Sequence, residues 1–224
     1  MKGRGLTISE LRWPDTPDFV AIARIWKSDA SIILLSCVWQ GYDLLQNEVL
    51  SQIDPNQADD ELERSITQLL EPRIHKVMTG DEPFYVQHGA YENETRQLSP
   101  AQPPQYDIAF ILRANERIMW PLEAKVLRSD GAVTSYIKEL KNNFLSCRYA
   151  PFSSEGAMLG YLFSGVPDNV FRYIETKVPC ELHHHLAFPE RAHKYSEHTR
   201  HIPTNKSYPP HFRCQHLILQ MTRE

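Results

Sequence analysis

No stretch of this chain is long and apolar enough to span a bilayer. The longest apolar run, residues 32–39, is interrupted by Ser36 and falls far short of the roughly 20 residues a membrane helix needs. Residues 1–7 carry basic side chains, but no apolar segment with a small-residue cleavage site follows them, so a signal peptide is not expected. Cysteine is scarce too. Cys37, Cys147, Cys180 and Cys214 lack the close spacing of a disulfide framework, which leaves free thiols and a cytoplasmic setting as the expectation. A basic excess is also missing. The formal net charge of -4 argues against a generic basic protein that coats nucleic acid by neutralising many phosphates. It leaves room for an enzyme that acts on DNA, because such an enzyme gathers acids at one place and can keep its basic residues in one groove. Internal repeats and low-complexity tracts are absent from the sequence as well.

What remains is an ordinary globular composition, 42% hydrophobic and 23% charged over 224 residues, enough for one substantial core and too little for two full-sized domains. A helix start is expected at Thr16, Pro17 and Asp18. Leu44, Leu45, Val49 and Ile53 then recur at helical spacing. After a break at Asp54, Pro55 and Asn56, residues 58–74 read as a second helix with Leu62, Ile66, Leu69 and Leu70 on one side. At about 100° per residue, Glu63 and Asp59 border that stripe while Glu61 and Glu71 point away. Pro72 is expected to kink or end the helix. Phe84 to His88 reads as a strand, and residues 89–104, with three prolines, as a surface loop.

Residues 105–127, QYDIAFILRANERIMWPLEAKVL, read as a strand hairpin. Alternation places Tyr106, Ile108, Phe110 and Leu112 on one face and Asp107, Ala109 and Ile111 on the other, with a turn at 113–116. On the second strand Glu123 and Lys125 share a face, opposite Leu122, Ala124 and Val126. Two acids and an ammonium then meet on an apolar sheet, where uncompensated charge is costly unless a cation and an anionic substrate complete the group. Pro121 within that strand suggests an edge position. Residues 133–149 follow as a helix buried through Ile137, Leu140 and Phe144. Met158 to Phe163 reads as a core strand, residues 170–178 as a short helix or strand, and residues 212–221 as a final strand.

Glu-x-Lys alone is a weak signal, and it occurs three times: at Glu123/Lys125, Glu139/Lys141 and Glu175/Lys177. The second lies in an amphipathic helix, where residues two apart do not share a face. In the third only six residues separate Asp168 from Glu175, too few for two strands and a turn. Only Asp107, Glu123 and Lys125 lie on two successive apolar strands. This arrangement resembles the PD-(D/E)xK, or restriction-endonuclease-like, nuclease superfamily over roughly residues 59–165. In that family a helix glutamate, here Glu63, precedes a hairpin bearing Asp and Glu-x-Lys, then a helix and a strand. Tyr106 stands where the family's proline would. Residues 136–165 are also similar to small bacterial nuclease-like proteins associated with defence against phage.

The resemblance implies an α/β fold with a mixed central sheet flanked by helices. It divides the chain into a helical segment, 1–58, packed on a nuclease-like domain, 59–224. It implies a metal-dependent endodeoxyribonuclease in which Asp107, Glu123 and the carbonyl of Ala124 hold Mg2+ or Mn2+. Lys125 orients water or stabilises developing charge, and Glu63 holds a metal-bound water. Lys138, Lys141 and Arg148 are candidate phosphate contacts; a solvated helix face is the bland reading of the same charges. DNA is the expected partner, with a homodimer or other defence subunits beside it and no membrane. The alternative is a catalytically silent nucleic-acid-binding or assembly subunit of the same fold.

Eight of ten histidines fall between His183 and His216. Cys180 with His183, and Cys214 with His216, offer donors for a structural zinc, against ordinary loop histidines and a buried thiol. His198, Arg200 and His201 are further candidates for contact with nucleic acid or a partner chain.

Overall fold

A computed structural model describes residues 29–95 and 103–222, so the helix start expected at Thr16 to Asp18 lies outside the described residues. Among the described residues seven strands form one mixed sheet in the order β1-β2-β3-β4-β7-β6-β5. They are β1 (Phe84–His88), β2 (Ile108–Leu112), β3 (Met119–Leu127), β4 (Glu155–Leu162), β5 (His183–His184), β6 (His193–Thr199) and β7 (His211–Gln220). The central strands β3, β4 and β7 run parallel, and both flanks are antiparallel. Helices α1 (Asp29–Glu48), α2 (Asp59–Val77), α3 (Thr134–Glu139) and α4 (Pro167–Lys177) cover it. None of the described helices is long and apolar enough to cross a membrane, and all four cysteines are free thiols.

Period-two alternation splits the apolar residues between two layers. Ile108, Phe110, Leu122, Ala124 and Val126 join Leu62, Ile66, Leu70 and Ile74 of α2 and the buried side of α1. Ala109, Ile111 and Leu127 join Tyr136 and Ile137 of α3, Leu140 and Phe144 just after it, and Phe171 and Ile174 of α4. Removing these side chains from water is the main stabilising term for both layers.

Several expectations change. Pro72 does not end α2, which runs on to Val77; the exposed proline leaves the buried face formed by Ile66, Leu70 and Ile74 intact. Pro121 is not on an edge strand. It sits opposite Ala109, and pairing to β4 begins only at Leu122, so the missing N–H falls before the parallel ladder starts. Tyr106 does not share a layer with Ile108 and Phe110 but lies with Ala109 and Ile111, because the chain bends at Asp107. The helix expected over 133–149 is α only through Glu139 and then widens into a π turn, Leu140–Phe144. The 89–104 loop is not wholly superficial: Glu92 and Glu94 are buried, bonded to Tyr106 and to Arg117, Lys206 and Tyr208. The histidine-rich tail is largely strand, since His183, His184, His193, His198, His211 and His216 lie in β5, β6 and β7.

Candidate functional site: an acid cluster at the opening between two strands

Antiparallel pairing of β2 with β3 stops at Ile108 and Leu122. The bend at Asp107 carries the chain away from β3, and Tyr106 and Gly89 complete backbone hydrogen bonds on the β1 side, to Ala90 and from Gly89 to the Asp107 carbonyl. Two successive N–H groups of β3 are thereby left facing an opening, and buried donors of this kind require partners. Carboxylates supply them. The Ala124 N–H donates to Asp107 Oδ2 at 2.7 Å, and the Val126 N–H lies near enough to the Glu63 carboxylate to favour its charged form. Because the N–H and C=O of one strand residue point to the same side, the Ala124 carbonyl faces this opening as well.

Glu123 and Lys125 project together, as the pleat requires. Lys125 Nζ donates to Glu63 Oε1 at 2.8 Å and to Glu123 Oε1 at 3.0 Å. One ammonium thus ties a helix acid to a strand acid, while Asp107 stands across the opening. Three carboxylates and one ammonium leave an excess of negative charge in a place largely shut from water. Glu123 is only 6% exposed, and among the described residues its buried Oε2 has no hydrogen-bond partner.

The titration of the group reflects this crowding. Burial pushes Glu63 up to about 7 against the pull of Lys125. Burial likewise raises Asp107, although Lys125 and the Ala124 N–H oppose it. Glu123 is driven well above the usual carboxylate range, first by burial and then by the charge of Asp107. Burial alone would lower Lys125, but Glu123, Asp107 and Glu63 together hold it above its ordinary value. The lysine is charged at every working pH, and the acids share too little positive charge.

Among the described residues no three His, Cys, Asp or Glu side chains are grouped so as to hold a metal ion. The donor set at the opening is of another kind: two carboxylates, Asp107 and Glu123, with a backbone carbonyl, while Glu63 is already committed to Lys125. These are hard oxygen donors, which suit Mg2+ or Mn2+, and the unpartnered oxygen of Glu123 is an acceptor that such an ion would satisfy.

Glu139 also faces these acids. Its charge acts on both Asp107 and Glu123, and Asn143 of the π turn donates to its carboxylate. Sequence periodicity sets it aside as one of three Glu-x-Lys pairs, and only the placement of α3 over β3 brings it close. Tyr149 belongs to the same surroundings, its hydroxyl raised by burial and then by Glu123 and Glu139. No local signal marks either residue.

The candidate phosphate contacts are less tightly placed. Lys138, Lys141 and Arg148 are all exposed, and Lys141 donates to the carbonyl of Lys177 on α4. Of the tail residues, Arg200 is buried rather than free to meet a partner. His216 has both ring nitrogens engaged, with Tyr136 and with Ser196, and His183 is exposed on β5. A separate cleft of about 380 Å³ opens at the starts of β4 and β7, lined by Glu155, Glu197, His198 and Arg213 among others, and shares no residue with the acid cluster.

Compared with known proteins, the chain finds no match among protein-family models, curated proteins or solved structures.

Proposed function

We propose that the chain is a metal-dependent phosphodiesterase acting on DNA, with a core of the restriction-endonuclease-like kind. The observation that carries the reading is the buried, unpartnered Glu123 Oε2 beside Asp107 and the Ala124 carbonyl, in a cluster whose acids outnumber its lone ammonium. An interior carboxylate oxygen without a donor costs on the order of 1–3 kcal/mol, and a site for a divalent cation gives that cost a use. Asp107, Glu123 and the Ala124 carbonyl would hold the ion. When bound it supplies charge neutralisation at a phosphate and a more acidic water.

The protein's own groups do the rest. Lys125 is held charged and oriented by Glu63 and Glu123, so its ammonium is fixed before any substrate arrives and needs little reorganisation to meet an anionic oxygen. Glu63, with a carboxyl near 7, can exchange a proton close to neutrality while it anchors that lysine from α2. Lys138, Lys141 and Arg148 supply positive charge on or just after the helical segment next to the site in the chain. A cytoplasmic role in defence against phage, alone or with partner subunits, accords with the sequence resemblance.

The test is incubation of supercoiled plasmid with purified protein, with and without Mg2+, beside Glu123→Ala. Nicked or linear product that needs both the metal and Glu123 is the expected result. If intact plasmid persists under every condition while divalent ion still binds, a silent DNA-binding or assembly subunit is the correct description.

A further inference from the structure

Arg200 is 4% exposed, although a guanidinium keeps its proton at any working pH and is expensive to bury without partners. Among the described residues no carboxylate forms an ion pair with it. Its Nε donates to the Phe144 carbonyl at 2.9 Å, Nη1 to Ala150 at 2.9 Å and to Ser153 at 2.8 Å, and Nη2 to Tyr149 at 2.6 Å. The plane lies over the Phe212 ring at 4.5 Å. One planar fork therefore gathers four carbonyls of the segment 144–153, a task that the single ammonium of lysine cannot reproduce.

That segment needs holding. Cys147 and Ala150 have φ of 59° and 49°, the left-handed region that residues with a Cβ avoid. It also touches the two residues that precede Asp107. The Ala150 N–H donates to Tyr106 Oη at 2.9 Å, and Tyr149 Oη donates to the Gln105 carbonyl at 2.8 Å. The Tyr149 and Tyr106 rings meet edge to face at 4.8 Å. The bend that swings Asp107 away from the β2–β3 ladder is thus braced from the side of Arg200.

We infer that Arg200 is a positioning residue, which fixes Asp107 by clamping 144–153 against Gln105 and Tyr106. Its importance for catalysis rests on the proposed reading of Asp107, but the positioning itself does not. The Ala124 N–H has Asp107 Oδ2 as its partner, so protection of that amide from hydrogen exchange reports where Asp107 stands, with neither metal nor DNA present.

The experiment compares exchange in the full chain for wild type, Arg200→Met, Arg200→Lys and a control, Ile174→Ala on α4, chosen for a similar loss of global stability. Arg200→Met is expected to speed exchange at Ala124 roughly tenfold relative to Leu159 in the central strand β4, as befits loss of about one hydrogen bond. Arg200→Lys should recover only part of the protection, and Ile174→Ala should leave the Ala124 to Leu159 ratio as in wild type. If Arg200→Met does not fold, Tyr149→Phe removes the link to Gln105 and should move the same ratio in the same direction. An unchanged ratio in whichever of these variants folds overturns the inference. A plasmid that no variant cuts would count against the proposed function alone, because the exchange result stands apart from it.

Discussion

Lys125 is the residue on which the chemistry turns, since two carboxylates hold it and neither can be satisfied without it. Lys125→Ala is expected to keep the fold and divalent-ion affinity while lowering cleavage by at least about a hundredfold, as loss of a fixed cation at a developing charge does; plasmid nicking rates and Mn2+ titration check the two halves separately. Glu63 supports a prediction in pH. Its carboxyl sits near 7 in the fold against an ordinary 4.5, so the folded state keeps a proton that the unfolded chain has released. Stability of the metal-free protein therefore falls as pH rises from about 4.5 to about 7, and Glu92, also raised to about 7 by burial, acts in the same sense. His193 and His216, pulled down to about 3 by burial, act oppositely: neutral in the fold, they cost stability as pH falls below about 6.5. Glu63→Gln should remove about 2 kcal/mol of the loss between pH 5 and pH 8, read as urea midpoints in chelator. Equal losses in wild type and variant would contradict the assignment.

At the scale of elements, the site depends on how closely α2 approaches the sheet, because Glu63 rides on that helix. Gly41 sets part of this distance from α1. A methyl carbon there would stand 2.7 Å from Ile74 Cγ1 and 2.9 Å from the Ile74 nitrogen, so Gly41→Ala must push the two helices apart. A loss of about 1–3 kcal/mol is expected, measured by chemical denaturation. An unchanged midpoint would show that α1 can shift freely. The hairpin was readable in the sequence because its apolar residues alternate cleanly and only one Glu-x-Lys lies on such a strand. Helix α2 was readable from its stripe, and Glu63 from its border position. Strands β5 and β6 were not. Their sequence is dominated by His, Lys, Ser and Glu, and β6 is ordered by pairing to β7 and β5 by pairing to β6 rather than by a pattern of their own. The π turn after Glu139 and the passage of α2 through Pro72 were hidden for the same reason: tertiary packing overrides local propensity.

Across the whole molecule, two apolar layers enclose a sheet that holds two polar groups: the acids where β2 leaves β3, and the buried His193, Ser196, Gln215 and His216 on β6 and β7. Glu123 and Lys125 could be placed on one strand from sequence, but Asp107 lies in a bend just before β2 rather than on it, and that bend, with the carboxylate that caps the bare N–H of Ala124, is a property of the assembled fold. Glu139, Tyr149 and Arg200 approach from segments 16 to 77 residues beyond Glu123 in the chain, and no spacing rule connects them to it. If the excess of acid is a site for a cation, saturating Mg2+ should stabilise the protein more at pH 8 than at pH 5.5, because protons compete for the same oxygens. Thermal unfolding at the two pH values measures this, and an equal shift at both would speak against carboxylate ligation.

The most direct test is a Mn2+ titration of wild type and Glu123→Gln, followed by the electron paramagnetic resonance of the free ion. Wild type is predicted to take up Mn2+ at the opening between β2 and β3, and Glu123→Gln to bind it at least about tenfold more weakly. Equal uptake by both proteins, or none by either, would contradict a cation site built on Glu123.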